Sequence, residues 1–176
     1  MSNNNDERSY NLFVIASPSG GGKNTIINRL RQARPEIEYS ISVTTRPIGQ
    51  GEKDGSPYFF VTDERFREMI SDGELVEYET VHGFYYGTPH GAIDRVISGG
   101  KSMALDLDVK GALHVKEMYP QATLTIALPP SLEVLRERLL KRKRESQATI
   151  EARLGGAEKE ISQLAEFNYV VVNEDL

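Results

Sequence analysis

The chain has 176 residues, the size of one compact domain with room for a small inserted lobe. It carries 21 Lys and Arg residues against 26 Asp and Glu residues, a net charge of −5, so it lacks the basic excess typical of proteins that bind nucleic acids or anionic membranes. The sequence contains no Cys, which excludes disulfide scaffolds, thiol nucleophiles and Cys-ligated metal centres.

The hydropathy of the chain argues against a membrane protein. No apolar run reaches the roughly 18 residues that a membrane-spanning helix needs. Residues 1–9 are polar and lack the apolar stretch of a signal peptide. We therefore expect a disordered tail over residues 1–9, a cytoplasmic location, and neither a membrane nor a nucleic-acid partner.

Four short apolar runs predict buried β-strands, and stretches with helical spacing lie between and around them. The predicted strands are Leu12–Ala16, Met103–Leu107, Leu124–Leu128 and Tyr169–Val172. The predicted helices lie near residues 26–30, 132–139 and 150–164. This alternation is typical of the α/β class, with a parallel sheet and helices on both of its faces.

The stretch from about residue 36 to residue 88 interrupts this alternation. It is rich in Gly, Thr, Tyr and Pro, and it contains one helical pattern through Phe66 and Met69. Its strand-like pieces are 39–43, 58–61 and 74–80. We interpret the stretch as an inserted lobe of mixed α+β structure. A basic, polar segment at 141–149 is either a flap or a plain surface loop.

A glycine-rich segment directly follows the first predicted strand and precedes a predicted helix. It reads Ser17-Pro18-Ser19-Gly20-Gly21-Gly22-Lys23-Asn24-Thr25. Glycines let backbone N–H groups turn toward a phosphate, and the helix N-terminus and a Lys add positive charge. The segment therefore predicts a phosphate-binding loop, although the pattern G-x-x-x-x-G-K-[ST] fails at Ser17 and Asn24. The alternative is a simple strand-to-helix turn.

A set of short motifs runs along the chain: Ser19 to Lys23, Ser42 to Pro47, Gly51-Glu52, Tyr58 to Val61, Glu77, Tyr85-Tyr86-Gly87-Thr88, Leu105-Asp106-Leu107-Asp108, Gly111-Ala112, Pro129-Pro130-Ser131, Arg142, Arg153-Leu154 and Val172-Asn173. In order and spacing, from Asn11 to Leu176, these motifs resemble those of guanylate kinases. Each motif alone is weak, but the set is specific.

This resemblance implies a single α/β domain with a P-loop NTPase core, a parallel sheet flanked by helices. The core would comprise about residues 10–35, 92–136 and 155–176, the inserted GMP-binding lobe about 36–91, and a small lid about 137–154. The implied reaction moves the γ-phosphoryl group of ATP to GMP, with ATP as co-substrate and Mg²⁺ as cofactor. Both substrates are small molecules, and the resemblance leaves a homodimer open.

The resemblance also implies an acceptor site for GMP. Its residues would be Ser42, Arg46, Tyr58, Glu77, Tyr86, Thr88 and Asp108. A carboxylate such as Glu77 can accept both N–H groups on the guanine edge, whereas adenine offers an acceptor at N1. The phosphate would meet Arg46 and two tyrosine hydroxyls. Without the resemblance, Glu77 reads as the exposed member of a strand alternation.

On the donor side, the resemblance implies residues that hold ATP and the transferring phosphoryl group. The ATP set is Ser19, Gly20, Gly21, Gly22, Lys23, Asn24, Thr25, Arg138 and Asn173; the catalytic set is Lys23, Arg46, Arg142 and Arg153. Asn24 and Asp106 are the expected Mg²⁺ ligands. Asp106 could instead form a hydrogen bond with the loop.

Two departures from the family pattern keep other functions open. Gly49 stands where relatives carry a second phosphate-binding Arg, and Asn24 stands where a Ser or Thr would hold magnesium. These changes motivate a second hypothesis, a catalytically impaired module that only binds. A third is a related P-loop kinase for another small substrate. Relatives also add a helix after the last strand, whereas this chain stops at Leu176.

Overall fold

The structure is a computed structural model that describes residues 11–56, 58–81, 83–141 and 147–174. In chain order the strands are β1 (Leu12–Ala16), β2 (Glu38–Tyr39), β3 (Val43–Thr44), β4 (Phe59–Phe60), β5 (Leu75–Val81), β6 (Phe84–Pro89), β7 (Met103–Leu107), β8 (Thr123–Leu128) and β9 (Tyr169–Val172). The helices are α1 (Lys23–Ala33), α2 (Asp63–Ser71), α3 (His90–Ser98), α4 (Val109–Met118), α5 (Leu132–Lys141) and α6 (Gln147–Ile161), with a 3₁₀ turn at Leu164–Glu166.

A parallel sheet of five strands forms the centre of the molecule, in the order β2-β7-β1-β8-β9. The central strand β1 pairs on both sides, so that Val14 lies opposite Leu105 and Leu124. All three side chains are fully buried, because helices cover the sheet. The predicted α/β class is therefore confirmed, and the carboxyl ends of these strands meet along one edge. The prediction that Tyr169–Val172 is buried is wrong, because β9 is the last strand of the sheet and its four side chains are exposed.

The inserted lobe has its own sheet, in the order β4-β3-β6-β5. Its helix α2 begins at a cap in which the Arg65 backbone N–H donates to Thr62 Oγ1 at 3.2 Å. The helix buries Phe66 and Met69 against Val43, in a cluster separate from the core of the parallel sheet. The lobe is thus a second small layer with its own apolar centre.

The strand predicted over 39–43 is wrong in one respect. Tyr39 pairs with Ala104 in the parallel sheet, whereas Val43 pairs with Gly87 in the sheet of the lobe. The chain leaves one sheet and enters the other within four residues. Local apolar spacing cannot distinguish the two, because partner choice depends on tertiary contacts.

The helices α5 and α6 pack on each other through a third apolar cluster. Leu135 and Leu139 contact Ile150 and Leu154 there. The helix predicted to reach Leu164 ends at Ile161 and gives way to the 3₁₀ turn. Residues 142–146, which include the predicted Arg142, lie outside the described residues. Within the described ranges, no helix has the length and apolarity needed to cross a bilayer.

Candidate active site

The glycine-rich loop turns directly from β1 into α1. Gly22 precedes the helix with a φ of +90°, a conformation that residues with side chains rarely adopt. A Cβ on Gly21 would lie 2.4 Å from Ser17 Oγ and 3.0 Å from the carbonyl oxygen of Ala127. The loop therefore requires glycine at these positions, and α1 begins at Lys23 with its N-terminus at the loop.

Lys23 connects the loop to the carboxyl end of β7. Its Nζ lies 2.6 Å from Asp106 Oδ1 and donates a hydrogen bond to the Leu107 carbonyl oxygen, also at 2.6 Å. Asp106 thus contacts the loop lysine, as one of the two sequence alternatives anticipated. The next acidic residue, Asp108, accepts from the Gly111 backbone N–H at 2.6 Å and caps α4.

A cleft lies between the lobe and the parallel sheet. Glu77 points into it from β5, and the hydroxyl of the buried Thr88 donates to Glu77 Oε1 at 2.6 Å. Burial raises the pKa of the Glu77 carboxyl, and the nearby carboxylates of Asp108 and Glu79 add to this, against the hydrogen bond from Thr88. Ser42 also lines the cleft. Ser42, Glu77 and Thr88, which the resemblance assigns to the base, therefore lie together.

Arg46 lies beside the aromatic side chains at the other end of this cleft. Its guanidinium carbon is 5.6 Å from the ring centroid of Tyr58 and 5.5 Å from that of Phe60. The rings of Tyr58 and Tyr86 contact each other edge to face, with centroids 5.6 Å apart. The cation and the two tyrosine side chains that are predicted to bind the acceptor phosphate thus lie close together.

A carboxylate that the sequence analysis did not assign to the site fixes Arg46. Arg46 Nη2 donates to Glu52 Oε1 at 2.9 Å, and the Gly49 backbone N–H donates to Glu52 Oε2 at 2.6 Å. These two donors lower the pKa of Glu52, and its carboxylate raises that of Arg46. A Cβ on Gly49 would lie 2.8 Å from Glu52 Oε2. The departure at Gly49 is therefore accommodated by a tight turn around the carboxylate of Glu52.

The cleft of the lobe and the cleft above the glycine-rich loop meet. The first, of about 630 Å³, contains Tyr58, Glu77 and Tyr86, and the second contains Ser19 and Thr25. The residues that line both are Lys23, Asn24, Glu79 and Asp108. A nucleotide in one cleft could therefore place its phosphate next to a nucleotide bound at the loop.

The remaining donor-side residues gather around the same loop. Asn173 Nδ2 donates to the Gly21 carbonyl oxygen at 3.2 Å, and Arg138 Nη2 donates to the Asn173 carbonyl oxygen at 2.8 Å. From α6, Arg153 donates to Ser19 Oγ. The fold thus brings three predicted residues from distant parts of the chain to the phosphate loop.

The residues present suit a magnesium ion that is held mainly by a nucleotide. In the described part of the chain, no group of three or more His, Asp or Glu side chains could hold a metal ion. Asn24 lines the loop cleft and Asp106 ends β7 beside Lys23. One carboxylate and one amide oxygen fit Mg²⁺, which usually keeps water and phosphate ligands.

Sequence reasoning also missed two acidic residues in the clefts. Glu79 follows Glu77 by two residues on β5, so the alternation of the strand would have placed both on one face. Glu160 lines the loop cleft from α6, and its Oε2 is buried without a hydrogen-bond partner among the described atoms. Burial raises the pKa of Glu160, with the Asp108 carboxylate adding to the shift.

The fold and the site define a class of protein. A glycine-rich loop between the first strand and helix of a parallel sheet, with a Lys at the helix start and an inserted lobe, defines a P-loop α/β protein. Comparison with known proteins places the chain within this class, because residues 9–176 match the family model described as guanylate kinase.

Two curated relatives are "Guanylate kinase" from Coxiella burnetii, 41% identical over 94% of this chain and 80% of the relative, and from Thermotoga maritima, 44% identical over the same shares. A crystal structure of guanylate kinase from Anaplasma phagocytophilum superposes with a TM-score of 0.70 at 37% identity, over 93% of this chain and 77% of that one. The chain belongs to the guanylate kinase family.

Proposed function

We propose that this protein is an ATP-dependent guanylate kinase, which transfers the γ-phosphoryl group of ATP to GMP and releases ADP and GDP. The observation that carries the proposal is the meeting of the two clefts at Lys23. A binding module has no need for an acceptor cleft that opens onto the phosphate loop. Membership of the family supports the same activity.

The acceptor cleft selects guanine through Glu77. Its ionised carboxylate accepts hydrogen bonds from N1–H and from the exocyclic amino group, while the hydroxyl of Thr88 holds one carboxylate oxygen in place. Adenine presents a lone pair at N1, which would face the same carboxylate and repel it. Ser42 lies in the same cleft and offers a further hydroxyl.

The other end of the cleft holds the GMP phosphate. Arg46 binds it with a charge-assisted pair of hydrogen bonds, and the hydroxyls of Tyr58 and Tyr86 donate to it. Burial raises the pKa of the Tyr58 phenol, with Tyr86 adding to the shift, so this hydroxyl keeps its proton and stays a donor. The phosphate is thereby aimed at the loop.

At the loop, the chain aligns the donor and balances its charge. Lys23 and the backbone N–H groups bind the β and γ phosphates, and Arg153 reaches the rim through its contact with Ser19. An oxygen of the GMP phosphate attacks the γ-phosphorus, and the bond to the ADP oxygen breaks. We further propose that Mg²⁺, held by Asn24 and Asp106 with the nucleotide, neutralises phosphate charge when bound.

A nucleotide panel tests the proposal. ADP formation from MgATP is measured with GMP, AMP, UMP and no acceptor. We expect turnover with GMP alone, and its loss in Lys23→Ala with the fold intact by circular dichroism. Equal turnover with AMP would refute the guanine site. If a folded protein forms no ADP with any acceptor, the result would instead support the catalytically impaired binding module.

A further inference from the structure

Glu79 occupies a position between the two ends of the acceptor cleft. In the antiparallel pair of β5 and β6, Glu77 lies opposite Thr88 and Glu79 lies opposite Tyr86. Residues two apart on a strand share a face, and both glutamates line the cleft. Glu79 is therefore one step further from the base end and one step closer to the phosphate end.

The spacing along β5 matches the layout of a nucleotide. Two residues of a strand span about 6.6 Å, because each adds roughly 3.3 Å. A nucleoside monophosphate places its ribose between its base and its phosphate. With guanine at Glu77 and the phosphate near Tyr86, the ribose falls at the level of the Glu79 side chain.

A second carboxyl faces Glu79 from the parallel sheet. The side chains of Glu79 and Asp108 line the same two clefts, and the Gly111 backbone N–H holds Asp108 in place. Burial raises the pKa of Glu79, and Asp108 is the next largest cause. Two neighbouring carboxylates that line one cleft are electrostatically unfavourable, so a ligand that brings two hydroxyl donors would satisfy both.

We propose that Glu79 and Asp108 together bind the ribose hydroxyls of the acceptor nucleotide, which makes Glu79 a determinant of ribose over 2′-deoxyribose. The inference rests on the proposed function, since it concerns the GMP bound in the acceptor cleft. Each carboxyl accepts from one hydroxyl of the vicinal diol. A 2′-deoxynucleotide leaves one carboxyl without its donor and next to another acidic group.

The test compares kcat/KM for GMP and dGMP in the wild type and in Glu79→Ala, Glu79→Gln and Thr80→Ala. We expect the wild type to favour GMP, and Glu79→Ala to reduce that preference about tenfold, the scale of one charge-assisted hydrogen bond. Glu79→Gln keeps an acceptor oxygen and should retain most of the preference. Thr80 is the next residue on β5, on the opposite face, so its variant should match the wild type.

The outcomes separate this inference from the proposed function. If the protein turns over GMP but Glu79→Ala leaves the ratio of kcat/KM for GMP to that for dGMP unchanged, the inference alone is overturned. A wild type with equal kcat/KM for both nucleotides also overturns the inference alone. Calorimetric binding of GMP and dGMP repeats the comparison without turnover. Binding of neither nucleotide by a folded wild type overturns the proposed function and this inference with it.

Discussion

Asn24 is the residue that departs furthest from the chemistry expected of its position. It lines both clefts next to Lys23, where a hydroxyl would ordinarily hold Mg²⁺. A neutral amide oxygen is a bulkier ligand than a hydroxyl. We therefore expect Asn24 to change the Mg²⁺ concentration that the enzyme requires and to leave its fold unchanged.

Replacing Asn24 with Ser should therefore increase activity. We expect Asn24→Ser to lower the Mg²⁺ concentration for half-maximal turnover severalfold, because a small hydroxyl allows closer coordination. Turnover of GMP measured across a Mg²⁺ series gives the answer. Asn24→Ala is the control and should show no gain. An unchanged Mg²⁺ dependence in Asn24→Ser would show that the amide serves equally well.

Burial of Glu77 affects both the stability of the folded protein and the recognition of guanine, with opposite dependence on pH. Its folded-state pKa is raised by burial, so the folded state binds the proton more tightly than the unfolded chain does. The contribution of Glu77 to the free energy of unfolding is therefore fully present below the pKa that Glu77 has in the unfolded chain. It is lost as the pH rises through the higher pKa that Glu77 has in the folded protein. Guanine recognition needs the ionised form and follows the opposite trend.

Glu77→Gln should accordingly be more stable than the wild type at pH 7, with the difference vanishing near pH 4, where both carry a neutral side chain. Urea unfolding at the two pH values measures this. The same variant should lose most turnover of GMP, because the amide replaces one acceptor oxygen with an NH₂ group, a donor that faces the N–H groups of guanine. A variant less stable than the wild type at pH 7 would contradict the assignment.

At the scale of elements, the turn between β3 and β4 determines how the acceptor phosphate is held. Arg46, Gly49 and Glu52 form a closed set of contacts within seven residues. Glu52 is a positioning residue, since it fixes the guanidinium over the rings of Tyr58 and Phe60. Arg46 is the cation that this turn orients beside the rings of the cleft.

Glu52→Ala should raise the KM for GMP about tenfold while kcat changes less, because a freely rotating Arg46 loses its orientation before binding. Steady-state kinetics with GMP as the varied substrate measure KM and kcat separately. Glu74→Ala is the matched control, since it removes the ion pair with Arg65 on the same lobe, outside the cleft. An equal KM in Glu52→Ala and Glu74→Ala would exclude the positioning role.

Some of these elements can be predicted from the sequence and others cannot. Four apolar runs predict the main strands, and in β1, β7 and β8 the reason is burial, since a strand buried on both faces is continuously apolar. The fourth run forms β9 at the edge of the sheet, where all four side chains are exposed. The division of 39–43 between two sheets cannot be predicted, because it depends on which strand edges are available. The contact between Glu52 and Arg46 also cannot be predicted from the spacing of residues in the sequence, since it depends on the tight turn at Gly49.

At the scale of the whole molecule, the site lies between two bodies with separate apolar cores. The lobe is centred on Phe66, which is fully buried, and the parallel sheet has its own larger cluster. Glu77 and Glu79 come from the lobe, whereas Lys23 and Asp108 lie at the N-termini of α1 and α4, which follow strands of the parallel sheet. The resemblance could predict this division from motif order, but not which side chains meet across it.

Phe66→Ala should destabilise the lobe by about 3 to 5 kcal/mol, through lost burial and the cavity left behind. We expect GMP turnover to fall and limited proteolysis to cut between β3 and β6, within residues 43–89, while the parallel sheet stays intact. Phe59→Ala is the control, because Phe59 is 39% exposed and its loss should have little effect. Proteolysis of the lobe and of the parallel sheet at the same rate would show that the two cores do not unfold separately.

The central claim is that the γ-phosphoryl group of ATP moves directly to GMP across the junction of the two clefts. The most direct measurement follows the label from ATP labelled in its γ-phosphate, incubated with GMP, Mg²⁺ and the protein. The account predicts that label lost from ATP appears as the β-phosphate of GDP, in an amount equal to the ADP formed. Label that appears only as free phosphate, or that stays in ATP, would contradict it.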